Sequence, residues 1–422
     1  MKIYNNVLTN INTVHNKYKL YKNINQEDVC CNLKDKTKIL SIYDQRYRGL
    51  YFQGIEKIGC IKKSKSFKRI EGCIFGGAIG DAFGAPVEAY SVERIQKRFG
   101  ISGIRYIPKK NGVYKVTDDT QMTLFTMEGL LKSYIKNCKL DEEPNYDIIY
   151  SSYINWYNTQ SKSFDILGRQ KGLLSDSALY SNRGPGHTCL SSLRDNIMGS
   201  IEKPINDSAG NGGLMRVAPV GIMYNKNPEL AFEIGINCAA LTHGSPEAYL
   251  PAGFQCALIA NLFNNIDLET SINNAMRILQ KYENSEDTCE CLKKAINLSK
   301  NKEIKPLDAI NQLGMGYTGS ECLAIALYCT LKNADNFKKA LTMAVNHPGD
   351  SDTTGAVTGN IMGAYLGSDK IPRGWLENIE YIKWLNSYSE SLYEILNANN
   401  SANYTSNEHT SIFDRWDSDK FS

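Results

Sequence analysis

Asn346-His347-Pro348-Gly349-Asp350-Ser351-Asp352-Thr353-Thr354-Gly355 sets two carboxylates one residue apart beside hydroxyls, then enters an apolar, Gly/Ala-rich segment running to Leu366. Its counterpart far upstream is Thr117-Asp118-Asp119-Thr120, which opens a segment with Met122, Leu124, Phe125, Leu130, Leu131 and Ile135 at helical spacing. Asp and Thr are good N-cap residues and suit the positive end of a helix dipole, so each run marks a helix start. A cap uses one side chain, however, and the second carboxylate of each run adds repulsion without capping. Together the runs form an all-oxygen ligand set of the kind hard cations such as Mg²⁺ prefer. The reading is one binuclear metal site assembled from two distant helix starts.

Working outward, Glu71-Gly72-Cys73-Ile74-Phe75-Gly76-Gly77-Ala78-Ile79-Gly80-Asp81-Ala82-Phe83-Gly84 begins the compact body. Gly76, Gly80 and Gly84 fall four apart, so on a helix they make one bare stripe against which another helix can approach closely. Asp81 within that stripe requires a cation or hydrogen-bond donors. The glycines are not a dinucleotide fingerprint, because no strand pattern precedes them. Further helices are expected over Tyr146 to Tyr157, Cys189 to Leu193, Pro228 to Ala240, Glu247 to Leu262, Thr318 to Leu331 and Asp335 to Asn346. Residues 280–310 read as a helix pair with a surface connection. Strand patterns are scarce, the one fair example being Ile101 to Ile107. The body is therefore all-α, with its sites at helix ends.

Two glycine loops stand between the acidic runs. Arg183-Gly184-Pro185-Gly186-His187-Thr188 precedes one helix, and Ser208-Ala209-Gly210-Asn211-Gly212-Gly213-Leu214-Met215-Arg216 runs into apolar Val217 to Met223. Glycines at a helix start bring backbone N–H groups close to an anion, usually phosphate. His243, in Leu241-Thr242-His243-Gly244, taken alone reads as a structural or capping histidine.

Charge is unevenly placed along the 422 residues. The first 70 carry about ten net positive charges and the remainder about seven net negative, which separates a basic arm from an acidic body. Residues 1–68, rich in Asn, Lys and Tyr, read as an appended, solvated extension, and 399–422 as a polar tail flanking a 69–398 domain. Twelve scattered cysteines lack disulfide-scaffold density or zinc spacing, so reduced thiols are expected. No run of about 18 apolar residues occurs, and no apolar core follows the first lysine, so the expected setting is soluble and cytoplasmic. The basic run near Lys62 leaves nuclear entry open.

Six motifs in order now carry a resemblance over roughly residues 70 to 370: Gly80 to Glu88, Thr117 to Met122, Gly184 to Thr188, Asn211 to Arg216, Leu241 to His243 and Gly349 to Thr353. The sequence resembles the ADP-ribosylglycohydrolase family. The resemblance implies an orthogonal multi-helix bundle holding two Mg²⁺ or Mn²⁺ ions, which removes ADP-ribose from a modified side chain or small molecule. Carried over by motif, Thr117, Asp118, Asp119, Asp350, Asp352 and Thr353 look like the metal ligands, with Glu88 and Asp119 as catalytic carboxylates. Gly184, Gly186, His187, Ser208, Gly210, Asn211, Gly212, Met215 and His243 look like the wall around ribose and pyrophosphate. His187 departs from the family, where Asn is frequent. The implied partner is an ADP-ribosylated protein or a small ADP-ribosyl conjugate, arginine-linked modification slightly favoured, rather than nucleic acid or a membrane. A second reading makes the chain a binding protein that neutralises an ADP-ribosylating toxin or its product by occlusion through the extension.

Overall fold

The computed structural model describes residues 64–137, 139–164 and 171–399. The extension as far as residue 63 and the tail from residue 400 lie outside the described residues. Sixteen α-helices follow in order among the described residues: α1 (Lys65–Gly84), α2 (Val92–Phe99), α3 (Asp118–Asn137), α4 (Tyr146–Ser161), α5 (His187–Arg194), α6 (Ala218–Met223), α7 (Pro228–Ala240) and α8 (Pro246–Phe263). They continue as α9 (Leu268–Leu279), α10 (Glu286–Lys300), α11 (Pro306–Leu313), α12 (Gly319–Lys332), α13 (Phe337–Val345), α14 (Ser351–Leu366), α15 (Arg373–Leu376) and α16 (Ile382–Ala398). The all-α expectation therefore holds.

Local chemistry explains the helix starts. Side chains of Ser64, Asn145, Asn227, Asp267, Thr318 and Asn336 accept backbone N–H groups of the first turns they precede. Prolines stand in the first turns of α7, α8 and α11, where a missing N–H costs nothing. Helix α8 is buried continuously from Ala248 to Leu262, as an all-round apolar helix must be, and packs against α7, α9, α12 and α6.

The pair that positions the site is α1 with α14. They run antiparallel with their glycines interleaved: Gly72 faces Gly363, Gly76 faces Gly359, Gly80 faces Gly355 and Gly84 faces Ser351. A methyl group added at any of the four α1 glycines would land on the facing backbone carbonyl. The bare stripe thus lets two backbones touch, and Asn360 closes the joint by donating to the Cys73 carbonyl at 2.8 Å. Because the helices are antiparallel, the end of α1 at Gly84 meets the start of α14 at Ser351. Glu88 and Asp350 are brought together by that geometry.

One expectation fails. Ile101 to Ile107 is not a strand; the strands among the described residues are β1 (Lys109–Lys110) and β2 (Val113–Tyr114), a two-residue antiparallel hairpin. Asn111 and Gly112 at its tip have φ of 54° and 81°, the left-handed turn that matches the twist of a hairpin. Burial over Ile101 to Ile107 does not alternate: Gly103, Ile104 and Ile107 are buried and the other four are exposed, and the Asn346 side chain holds both the N–H and the carbonyl of Ile104, at 2.8 and 2.9 Å. Side-chain amide pairing has replaced a ladder.

Candidate active site

The first acidic run is set by a residue from another helix. Asp81, fully buried on α1, accepts from the Thr117 N–H at 2.9 Å, from the Thr120 N–H at 3.2 Å and from the Thr120 hydroxyl. It supplies the cap that α3 would otherwise need, which frees Asp118 and Asp119 for other work. The donors expected around Asp81 are these. Burial raises its carboxyl to about 7, against the opposing pull of the Thr120 and Thr117 hydrogen bonds.

The second run caps itself. Asp350 accepts the Thr353 N–H at 3.3 Å through one oxygen and the Asn211 side-chain amide at 2.8 Å through the other. Its own N–H donates to the Met315 carbonyl at 2.9 Å, a close approach that Gly349, at φ 139°, permits. The two runs meet where the Thr353 hydroxyl lies 3.5 Å from an Asp119 oxygen, across 234 residues of chain.

Charge in this pocket of carboxylates is poorly compensated. Asp119 Oδ2 and Asp352 Oδ1 are buried with no hydrogen-bond partner among the described residues. Burial, then the neighbouring carboxylates, pushes both groups well above the ordinary carboxylate range. Asp118 rises to about 8, again first through burial, although the Gly186 N–H donates to it at 3.2 Å. Glu88 lies on the turn after α1, and its carboxyl is shifted upward first by partial burial and then by Asp350. Its turn is held by the Ala89 N–H, which donates to the Gly349 carbonyl at 2.8 Å.

Among the described residues no three Asp, Glu, His or Cys side chains already converge as a metal cage. The donor chemistry nevertheless fits a hard divalent cation. The set is all oxygen, it is crowded with negative charge, and two of its buried oxygens lack any donor.

The predicted wall residues divide. Gly186 caps α5 and touches Asp118, joining the first loop to the acidic cluster. Ser208 shares a hydrogen bond of 3.0 Å with Thr188 and accepts the Gly210 N–H, so the two glycine loops are tied together. Asn211 belongs to the cluster through Asp350 and the Gly316 carbonyl. Met215 is buried beneath it, its carbonyl accepting from Thr123. Gly184 and His187 are exposed at the edge, and neither side shows a contact to the carboxylates.

His243 stands behind the second loop and contributes support. A methyl at Gly212 would press on its ring at 3.0 Å and on Cys189 at 2.8 Å. Its Nδ1 pairs with the Thr242 hydroxyl at 2.8 Å, and that hydroxyl takes a hydrogen bond of 2.6 Å from Arg216. Burial and then the Arg216 guanidinium hold His243 down to about 3, so the ring is neutral. Arg216 is itself fully buried, 4.1 Å from the centre of the Tyr153 ring.

One residue with no sign in the sequence joins the first glycine loop to the chain that enters the first acidic run. Glu380 is 7% exposed and accepts from Lys115 Nζ at 2.5 Å, Arg183 at 2.7 Å and the Val116 N–H at 3.2 Å. Val116 directly precedes Thr117, and Arg183 directly precedes Gly184. With Gly186 on Asp118 the contacts close a ring around the first acidic run. Nothing in the local sequence marks Glu380; only its distant partners do. Gln121 is a second such junction, accepting from Trp156 and donating to Tyr381 and to the Ser181 carbonyl, each at 3.2 Å.

Comparison with known proteins decides the family. The family model for ADP-ribosylglycohydrolase matches residues 62–402. The chain belongs to the ADP-ribosylglycohydrolase family. Relatives include the ADP-ribosylarginine hydrolase Tri1 of Serratia proteamaculans, 25% identical over 79% of this chain and 81% of that one. The ADP-ribosyl-[dinitrogen reductase] glycohydrolase of Rhodospirillum rubrum is 24% identical over 74% and 90%. ADP-ribosylhydrolase ARH3 of Xenopus tropicalis is 22% identical over 78% and 95%. The family consists of hydrolases of ADP-ribosyl conjugates, which is the class of reaction the motifs implied.

Proposed function

We propose that this family member is a metal-dependent hydrolase that removes ADP-ribose from arginine side chains of modified protein. The observation that carries the reading is the meeting of Asp119 with Thr353, flanked by two buried carboxylate oxygens without donors. The name of the Serratia relative favours the arginine linkage. Thr117, Asp118, Asp119, Asp350, Asp352 and Thr353 would hold two Mg²⁺ or Mn²⁺ ions. Such ions supply Lewis acidity and a more acidic bound water.

The chain's own residues do the rest. The first-turn N–H groups of α5, which follow Gly186, offer donors for a pyrophosphate, with the loop of Gly210 and Gly212 beside them. Cleavage at the anomeric carbon builds positive charge on ribose, which the carboxylates beside it stabilise. Glu88 and Asp119 are the carboxylates assigned to position or move a proton at the scissile bond. Among the described residues no helix is long and apolar enough to cross a membrane, and the eight cysteines there are free thiols, which suits a reducing setting.

The test compares release of free ADP-ribose from arginine-modified and serine-modified protein. Preferential release from arginine is expected. Equal or greater release from serine would move the assignment of the linkage.

A further inference from the structure

The segment from Ser91 to Val116 is a basic island on an acidic body. It holds seven Lys and Arg against the single Glu93, whereas the chain from residue 71 onward holds 33 Lys and Arg against 40 Asp and Glu. Six of the cations are exposed: Arg94, Lys97, Arg98, Arg105, Lys109 and Lys110. Among the described residues none of the six forms an ion pair. Within the island stand two large apolar side chains in solvent, Ile101 at 83% exposure and Tyr106 at 60%.

The island is fastened to the active-site rim at three points. Arg98 donates to the Pro86 carbonyl at 3.3 Å, two residues before Glu88. Asn346 grips Ile104 from the stretch that leads to Asp350. The Tyr114 N–H donates to the Asn378 carbonyl at 2.8 Å, beside Glu380. Arg94 is already laid over the Tyr90 ring, 3.6 Å from its centre, so its charge is held in place. A patch fixed to the rim meets whatever surface surrounds the group being cleaved.

We propose that Ser91–Val116 is the docking surface for the modified protein substrate, and that it selects an acidic face carrying apolar side chains. This rests on the reading that the substrate is an ADP-ribosylated protein. Exposed Ile101 and Tyr106 favour protein over a phosphate backbone, because an aliphatic side chain ringed by charge gains from burial against another apolar group. The surrounding cations speed and orient encounter with a surface of opposite sign.

The test uses the full chain and a variant carrying Lys97→Glu, Arg105→Glu and Lys110→Glu, positions whose side chains are exposed and form no hydrogen bond or ion pair among the described residues. Fluorescence anisotropy follows binding of a labelled 20-residue peptide rich in Asp, Glu and Leu, a neutral scramble of it, and dT20. The basic residues before position 64 are present in both proteins, so the difference between the proteins reads the island. At low salt the wild type is expected to prefer the acidic peptide about tenfold over the scramble, and the variant to lose that preference. Hydrolysis of free ADP-ribosyl-arginine should be equal in both, while KM for modified acidic protein rises in the variant. Unchanged acidic-peptide binding in the variant overturns the proposal. So does a loss confined to dT20, which would make the island a nucleic-acid surface. Peptide binding as expected, with no turnover of any substrate, upholds the docking surface and removes the hydrolase reading instead.

Discussion

Asp119 and Asp352 each bury a carboxylate oxygen that finds no hydrogen-bond partner among the described residues, and this defines what their substitution should do. Replacing Asp352 by Asn removes a repelling charge from a crowded, buried cluster, so the metal-free protein should melt at a higher temperature than wild type. The same change should lower turnover by more than about 100-fold, because a ligand and its charge are gone. Calorimetry and ADP-ribose release on one preparation check both halves; a variant that is less stable and equally active would contradict the assignment. His243 behaves in the opposite sense. Its folded value, about 3, lies below the ordinary histidine range near 6.5, so between those values the unfolded chain binds the extra proton. Its contribution to stability is complete above about pH 6.5 and is lost as pH falls towards 3, at up to about 1.4 kcal/mol per pH unit. His243→Gln should flatten that acid limb in urea titrations run from pH 7 to pH 4. An unaltered slope would mean that the ring protonates freely.

The element that carries the site is the antiparallel pair α1 and α14, whose backbones touch at Gly80 and Gly355. Gly80→Ala forces them apart and should cost about 2–3 kcal/mol or more, read as a lowered urea midpoint with an unchanged slope. Gly100→Ala is the control for composition, since its position meets no neighbour, though its φ of 91° keeps some strain. Ring closure through Glu380 gives a second prediction at this scale. Arg183→Ala frees the first glycine loop while leaving Glu380 bonded to Lys115 and Val116. It should raise KM for ADP-ribosylated substrate several-fold with kcat nearly kept, and Arg183→Lys should restore part of the loss. Equal falls in kcat and kcat/KM would show instead that the ring shapes the reacting geometry itself.

Across the whole molecule, the sequence made some features plain and hid others for physical reasons. Helix starts were legible because caps, prolines and apolar spacing are local, and α7 begins and ends where its pattern does. The glycine stripe foretold a close helix contact, but not that α14 was its partner, since pairing is decided by the tertiary fold. Both acidic runs were legible as helix starts that carry a second carboxylate and were read together before any resemblance; the structure brings the Thr353 hydroxyl to 3.5 Å from an Asp119 oxygen across 234 residues. Asp81 could be read as needing donors, whereas Glu380 gave no local sign because all its partners are distant in sequence. Ile101 to Ile107 misled because β-branched isoleucines recur, three apart, over a loop that Asn346 holds in place. These parts meet in one carboxylate cluster, which we propose holds two divalent ions and performs the hydrolysis. The most direct test is to titrate Mn²⁺ into chelator-treated protein, counting bound ions by electron paramagnetic resonance while following ADP-ribose release from arginine-modified protein. The account predicts two ions per chain, turnover that appears with their binding, and loss of both in Asp352→Asn. Full turnover in excess chelator, with no ion bound, would contradict it.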